Sequence, residues 1–224
     1  MKLVWDAVGE RLYETGVKKV ALYPQDAKGT YPKGAAWNGV SAITESPSGA
    51  EPTKLYANDG KYLELMSVEE YASTLEAYTY PDEFKPCNGE KELTTGVAIG
   101  QQDRQAFGLA YRTILGNDTE GSKHGYKLHL VYGCKAAPSE KAHNTTSDNP
   151  EAETMSWSIS TTPIDVEGHD PTSTLEIDST KVKTPDNLIK LEEILYGSAT
   201  KEARLPLPDE VVRILTTGKA DGEE

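Results

Sequence analysis

The chain has 224 residues, 37% of them apolar and 26% charged, enough for one large domain or two small ones with a sizeable core. Its net charge is −13, with no basic stripe, which excludes the usual mode of nucleic-acid gripping by lysine and arginine at phosphates. No stretch approaches the 18 or so apolar residues of a membrane span, so membrane binding is not expected.

The N-terminal MKLVWDAVGERLYETG lacks the apolar segment of a signal peptide. Folding in a cytoplasm is expected, with Cys87 and Cys134 kept reduced. From there on, period-2 alternation dominates. NGVSAITES, TKLYANDGKYLELMS and YASTLEAYTY fit half-buried strands. The second holds Asn58-Asp59-Gly60, residues that tolerate positive φ and so predict a hairpin turn. AFGLAYRTILG continues the pattern. In HGYKLHLVYGC, Tyr126, Leu128, Leu130, Tyr132 and Cys134 share a face opposite Lys127, His129 and Val131. In SWSIS, Trp157 and Ile159 join Met155 opposite Ser156, Ser158 and Ser160, and in TLEID Leu175 and Ile177 oppose Glu176. Alternation of this kind belongs to antiparallel sheets with one wet face.

Helix comes late. TPDNLIKLEEILYG predicts one packed helix, with Thr184 to cap it, Pro185 at its start, a stripe of Leu188, Leu191 and Leu195, and Gly197 to stop it. LPDEVVRILTTG is compatible with a second. Loops are expected at 24–36, 46–53, 81–90, 116–124, 136–151 and 163–172, the long segments 46–62 and 136–151 being candidate arms. The resulting expectation is an all-β, mainly antiparallel fold. It is a β-sandwich or barrel with one packed α-helix, forming a single domain over 1–217 with a disordered acidic tail over 218–224.

Motifs that carry chemistry are scarce. GVAIGQQDRQAFG (96–108) has glycines but neither the lysine nor the second glycine pair of a phosphate loop, and a strand follows where a helix is needed. Its polar quartet Gln101, Gln102, Asp103 and Arg104 suits turn or intersubunit hydrogen bonds at a corner that delivers the next strand. The four histidines and two cysteines show no metal-ligand spacing, and no nucleophile elbow is present, so neither metal, cofactor nor catalysis is expected. A carbohydrate-binding sandwich is the alternative, using tyrosines around 71–80: Tyr71, Tyr78 and Tyr80, with Phe84.

Four stretches then stand together: LEAYTYPDEF (75–84), GVAIGQQDRQAFGLAYRTILGND (96–118), YKLHLVYG (126–133) and SWSISTTP (156–163). In order and spacing the chain resembles the major tail proteins, or tail-tube subunits, of long-tailed bacteriophages with non-contractile tails, especially those of Gram-positive hosts. The resemblance runs from about Leu3 to Thr217. It implies a structural virion protein assembled in the host cytoplasm, with copies forming stacked hexameric rings. Each subunit contributes strands to an inner β-barrel with a helix and second sheet outside. Implied partners are other copies, a tape-measure protein, tail terminator and tail-tip proteins, and double-stranded DNA in transient, non-specific passage. Edge strands that pair around a ring would remove every exposed edge. Glu64 and Glu76, on alternating strands, are the candidates for an anion-repelling bore.

Overall fold

A computed structural model describes residues 2–145, 148 and 152–220. The strands are β1 (Tyr13–Pro24), β2 (Ala35–Ala36), β3 (Val40–Glu45), β4 (Pro52–Ala57), β5 (Gly60–Met66), β6 (Ala72–Ala77), β7 (Lys91–Thr94) and β8 (Val97–Ile99). They continue with β9 (Phe107–Asn117), β10 (Gly121–Ala136), β11 (Met155–Thr161), β12 (Ile164–Val166), β13 (His169–Thr172) and β14 (Thr174–Asp178). Two helices follow, α1 (Pro185–Tyr196) and α2 (Pro208–Thr217). The expectation of one helix is corrected to two.

One antiparallel sheet runs β2-β1-β9-β10-β11-β6-β3, with β14 paired to β10. It folds on itself into a sandwich without closing into a barrel. Two apolar clusters separate three layers. The first lies between the β3-β6-β11 wing and the β1-β9-β10 wing, where Leu75, Trp157 and Ile159 meet Leu22, Leu109 and Val131. Phe84, fully buried in the stretch expected to be a loop, sits at its centre, 4.4 Å from the Trp37 ring and 5.3 Å from that of Trp157. Each such side chain contributes about 1.5–3 kcal/mol by leaving water. The second cluster packs Tyr23, Leu128, Leu130 and Tyr132 beneath Leu188, Leu191 and Leu195 of α1 and Val211 and Ile214 of α2. Two of its tyrosine hydroxyls donate to a helix-end and a loop carbonyl, Tyr23 to Leu195 O at 2.6 Å and Tyr132 to Pro206 O at 2.9 Å, while that of Tyr31 accepts from Gly133 N–H at 2.9 Å.

Strand β10 is therefore buried on both faces over Leu128–Cys134, and the expected wet face is absent there. Gly133, at φ +62°, makes a bulge where a Cβ would come within 2.2 Å of the Thr162 carbonyl oxygen. The bulge inverts the alternation. Cys134 joins the first cluster instead of the face of Tyr132 on which the spacing put it.

The helix signals mostly act as read. Pro185 opens α1 and Gly197 ends it, but the Thr184 side chain makes no capping bond; its carbonyl accepts from Asn187 N–H at 3.0 Å. Gly218 is the left-handed cap of α2, buried and donating to Ile214 O at 2.8 Å. Residues 218–220 are thus part of the packed domain rather than of a tail, and the rest of the expected tail, 221–224, lies outside the described residues.

The ribbon of β3 and β6 does not stop at the sandwich. Ser46 N–H donates to Ala72 O at 2.8 Å, and Ser48 and Glu70 exchange bonds of 2.9 and 2.7 Å. The two chains then continue as the hairpin β4–β5. Asn58 and Asp59 take φ +49° and +60°, the left-handed pair that this two-residue turn requires.

Candidate functional site

The polar quartet forms a corner held within the chain. Gln101 adopts φ +62°. Gln102 donates its backbone N–H to Gly89 O at 3.0 Å and its amide to Gly100 O at 2.9 Å, and Arg104 Nη1 reaches Ala136 O at 2.9 Å. Asp103 is exposed beside an open cleft of about 470 Å³ that mixes Asp82, Glu90 and Glu92 with Lys85 and Lys91. The GVAIG segment supplies β8 of a small exposed hairpin with β7.

The two candidate bore carboxylates lie on different structures. Glu64 is on β5, across from Lys54 and ion-paired to Lys61, so its charge is locally answered. Glu76 is on β6, on the outward side of the sandwich between Ala42 and Ser156. The tyrosines do not assemble a stacking platform. Tyr71 and Tyr80 pack against the first cluster, and burial pushes the Tyr71 hydroxyl up to about 12; Tyr78 alone of the three is exposed.

Where the sandwich opens, its apolar interior gives way to a polar network that the sequence did not single out. Thr113 Oγ1 donates to Glu14 at 2.5 Å, which commits its one proton, so His129 Nε2 at 2.9 Å must be the donor to Thr113. The His129 ring stacks on Tyr111 at 4.6 Å, and Tyr111 donates to Glu45 at 2.6 Å. Lys127 bridges Glu14 and Glu176, each at 3.0 Å. Burial works against the Glu14 carboxylate, yet the bonds from Thr113 and Lys127 and the nearby positive charge outweigh it and hold the group below the usual glutamate range. Asp178 is lowered in the same way, burial being outweighed by Thr180 and Lys181. Such carboxylates are persistent anions; they brace strands and do not hand over protons at neutral pH.

Half-buried Arg112 is a second brace. Its guanidinium lies 4.2 Å from the Tyr126 ring and pairs with Glu192, tying β9 to α1. Among the described residues, no group of three His, Cys, Asp or Glu side chains is placed to hold a metal ion, and no helix is long and apolar enough to cross a membrane.

No family model and no curated protein matches this chain.

What the chain does present is surface. All thirteen residues of β4 and β5 are exposed. Leu55 faces Leu63 across the hairpin, while Tyr56, Tyr62 and Met66 stand 65–74% exposed. A second apolar arm is N-terminal: Leu3, Val4, Trp5 and Val8 are 71–78% exposed. It departs from a clip at Gly9, whose N–H donates to Asp118 Oδ1 at 3.0 Å and whose carbonyl accepts from Asn117 at 3.2 Å. Between these arms, β3 and the first half of β1 face each other as sheet margins across a cleft of about 300 Å³ lined in part by Val17, Ile43 and Tyr111. The arrangement suits strand-to-strand and arm-to-body contacts between chains. TKLYANDGKYLELMS, expected to form half-buried strands, is corrected to a fully exposed hairpin, because no layer among the described residues packs on it. Nothing in the N-terminal stretch marked the smaller arm.

Proposed function

We propose that this chain is the tube-forming subunit of a long, non-contractile phage tail. Copies join into hexameric rings that stack around a tape-measure protein, between terminator and tail-tip proteins, and the finished bore passes double-stranded DNA to the host. The chain then resides in the virion after assembly in the host cytoplasm. Besides the resemblance of its four motif stretches, one observation carries this reading: the β4–β5 hairpin prolongs the β3–β6 ribbon by about 20 Å with no cover from the described residues of its own chain. An isolated two-stranded hairpin is marginal in water, and its bare Leu55, Leu63, Tyr56 and Tyr62 are apolar surface of the kind that marks a protein contact. A contact between such an arm and a different surface of the next copy is heterologous, which generates closed rings and open stacks.

Negative-stain microscopy of the purified chain across a concentration series tests the proposal. Rings or filaments are expected, and L55S/L63S is expected to keep the circular dichroism of the parent while losing them. A chain that stays monomeric at every concentration and gains thermal stability with sugars would overturn the reading in favour of the carbohydrate-binding module. Rings that persist undiminished in L55S/L63S would remove the hairpin from the assembly mechanism.

A further inference from the structure

The sequence holds two Asn-Gly pairs, Asn38-Gly39 and Asn88-Gly89, and the fold treats them oppositely. An asparagine before glycine is open to attack on its own side-chain amide, because the glycine nitrogen has no Cβ beside it to block the approach. Asn88 is tied down. Its Oδ1 accepts from Trp157 Nε1 at 3.1 Å, and its Nδ2 donates to Glu90 Oε1 at 2.6 Å. Gly89 is buried and donates its N–H to Pro86 O at 3.3 Å. Asn38 and Gly39, by contrast, form an exposed turn between Trp37 and the start of β3. Among the described residues, nothing bonds to the Asn38 side chain or to the Gly39 N–H. The bonds around this turn hold its neighbours instead. Trp37 donates its N–H to Val20 O at 2.9 Å and its Nε1 to Thr79 O at 2.8 Å, and Tyr78 N–H reaches Gly39 O at 2.9 Å.

We propose that Asn38 is a self-modification site, where the chain deamidates without an enzyme and rebuilds its own backbone. The Gly39 nitrogen gives its proton to water and attacks Asn38 Cγ. The new N–Cγ bond closes a succinimide ring as the Cγ–Nδ2 bond breaks, and Nδ2 takes up a proton from solvent and leaves as ammonia. Water then opens the ring. Addition at Cγ breaks the new bond and yields aspartate. Addition at the main-chain carbonyl carbon breaks the original peptide bond and yields isoaspartate, whose main chain is longer by a methylene. Either product carries a new carboxylate. The isoaspartate falls where the fold tolerates length poorly, next to buried Trp37 and just ahead of Val40, which pairs with Ala77. A longer chain there pulls against the bonds to Thr79 and Gly39 and against the β3–β6 register, which decides the face each side chain takes. At Asn88 both the amide and the attacking nitrogen are engaged, so its reaction waits for local opening of the fold. The chemistry needs only this chain and water, and it stands apart from the tube reading.

Ageing the purified chain at mildly alkaline pH tests the proposal by mass mapping of the parent protein, so no variant has to fold. Trypsin releases the two pairs on separate peptides, 34–54 and 62–91, because Lys85 precedes a proline and resists cleavage. Peptide 34–54 is expected to gain the mass that replaces an amide NH2 by OH, and to accept methyl groups from an isoaspartyl-specific carboxyl methyltransferase. Peptide 62–91 is expected to stay unchanged in the native chain and to convert alongside the first when the chain is aged in denaturing urea. Equal conversion of both peptides in the native chain would overturn the proposal. So would an unchanged Asn38 in a native chain whose urea-aged counterpart converts there. N38Q is expected to abolish the change in peptide 34–54, since the longer side chain closes a ring less readily. The backbone consequence is read separately: aged chain carrying isoaspartate is expected to unfold at a lower urea concentration than N38D, which has the charge on an ordinary backbone. Identical midpoints would show that the β3 entrance absorbs the extra methylene, and would overturn that step.

Discussion

The β3–β6 ribbon and the β4–β5 hairpin are one continuous pair of antiparallel strands with opposite fates. Both alternate with period 2. In the ribbon, Leu75 is completely buried; in the hairpin, Leu55, Leu63 and Leu65 remain 40–51% exposed. The difference is what lies opposite. Leu75 has Trp157 beside it and the β1-β9-β10 wing beneath it, while Leu55 is paired with Leu63 across the hairpin and stays exposed. An apolar stripe on a strand is therefore a demand for a partner layer, and it does not say whether that layer belongs to the same chain. Here the ribbon is satisfied within the fold, and the hairpin is left exposed among the described residues.

The sharpest test of the contrast is in the ribbon's own layer. Trp157→Ala is expected to cost about 3–5 kcal/mol, read as a lowered midpoint in urea, because the indole fills the space between Trp37, Tyr80 and Phe84. A cost below about 1 kcal/mol would mean that the sandwich interior is no better packed than the arm. Tyr111→Phe is expected to cost about 1 kcal/mol, since it removes the bond that ties the central sheet to Glu45 at the end of β3.

Acid should weaken the body next. The Glu14 and Asp178 carboxylates are held below their ordinary range in the folded chain, so on acidification the unfolded chain binds protons first. Their contribution is complete above the ordinary carboxylate range and is lost as pH falls through the folded-state values. Removing the donor in T113V should flatten that part of a stability-against-pH curve, and an unchanged curve would show that Glu14 is not braced. The smallest effect on the fold belongs to the hairpin: Leu63→Ser should shift the unfolding free energy of the free chain by no more than about 0.5 kcal/mol. A larger loss in dilute monomer would show that the arm packs on its own chain.

Much of the body was legible from residue pattern. Met155, Trp157 and Ile159 face inward against three outward serines as the alternation required, Asn58-Asp59-Gly60 turns the chain, and Leu188, Leu191 and Leu195 seat α1. Three features escaped. Strand β1 was missed because ETGVKKVALYP does not alternate cleanly and carries bulges between Thr15 and Val17 and between Lys18 and Ala21. Phe84 was assigned to a loop because its neighbours Pro81, Asp82 and Pro86 are turn formers, yet the ring is what that loop buries. Cys134 was put on the wrong side because the bulge at Gly133 shifts the register by a step that spacing cannot register. The functional surfaces were legible in part. The expected arm 46–62 holds β4 and the start of β5, and Glu76 lies on the outer face of β6. The quartet at 101–104, expected to make turn or intersubunit bonds, is tied to Gly89, Gly100 and Ala136 of its own chain.

The sequence by itself determined the local choices: which segments extend, where the chain reverses, and which side of each strand is apolar. These follow from φ preferences and from a two-residue period, both properties of neighbouring residues. Only the tertiary structure decided how many sides of a strand are dry, as in β10 between helices and sheet, and which apolar stripes are left bare, as in β4–β5. Burial is set by layers contributed from distant parts of the chain, and no local pattern records whether such a layer arrives.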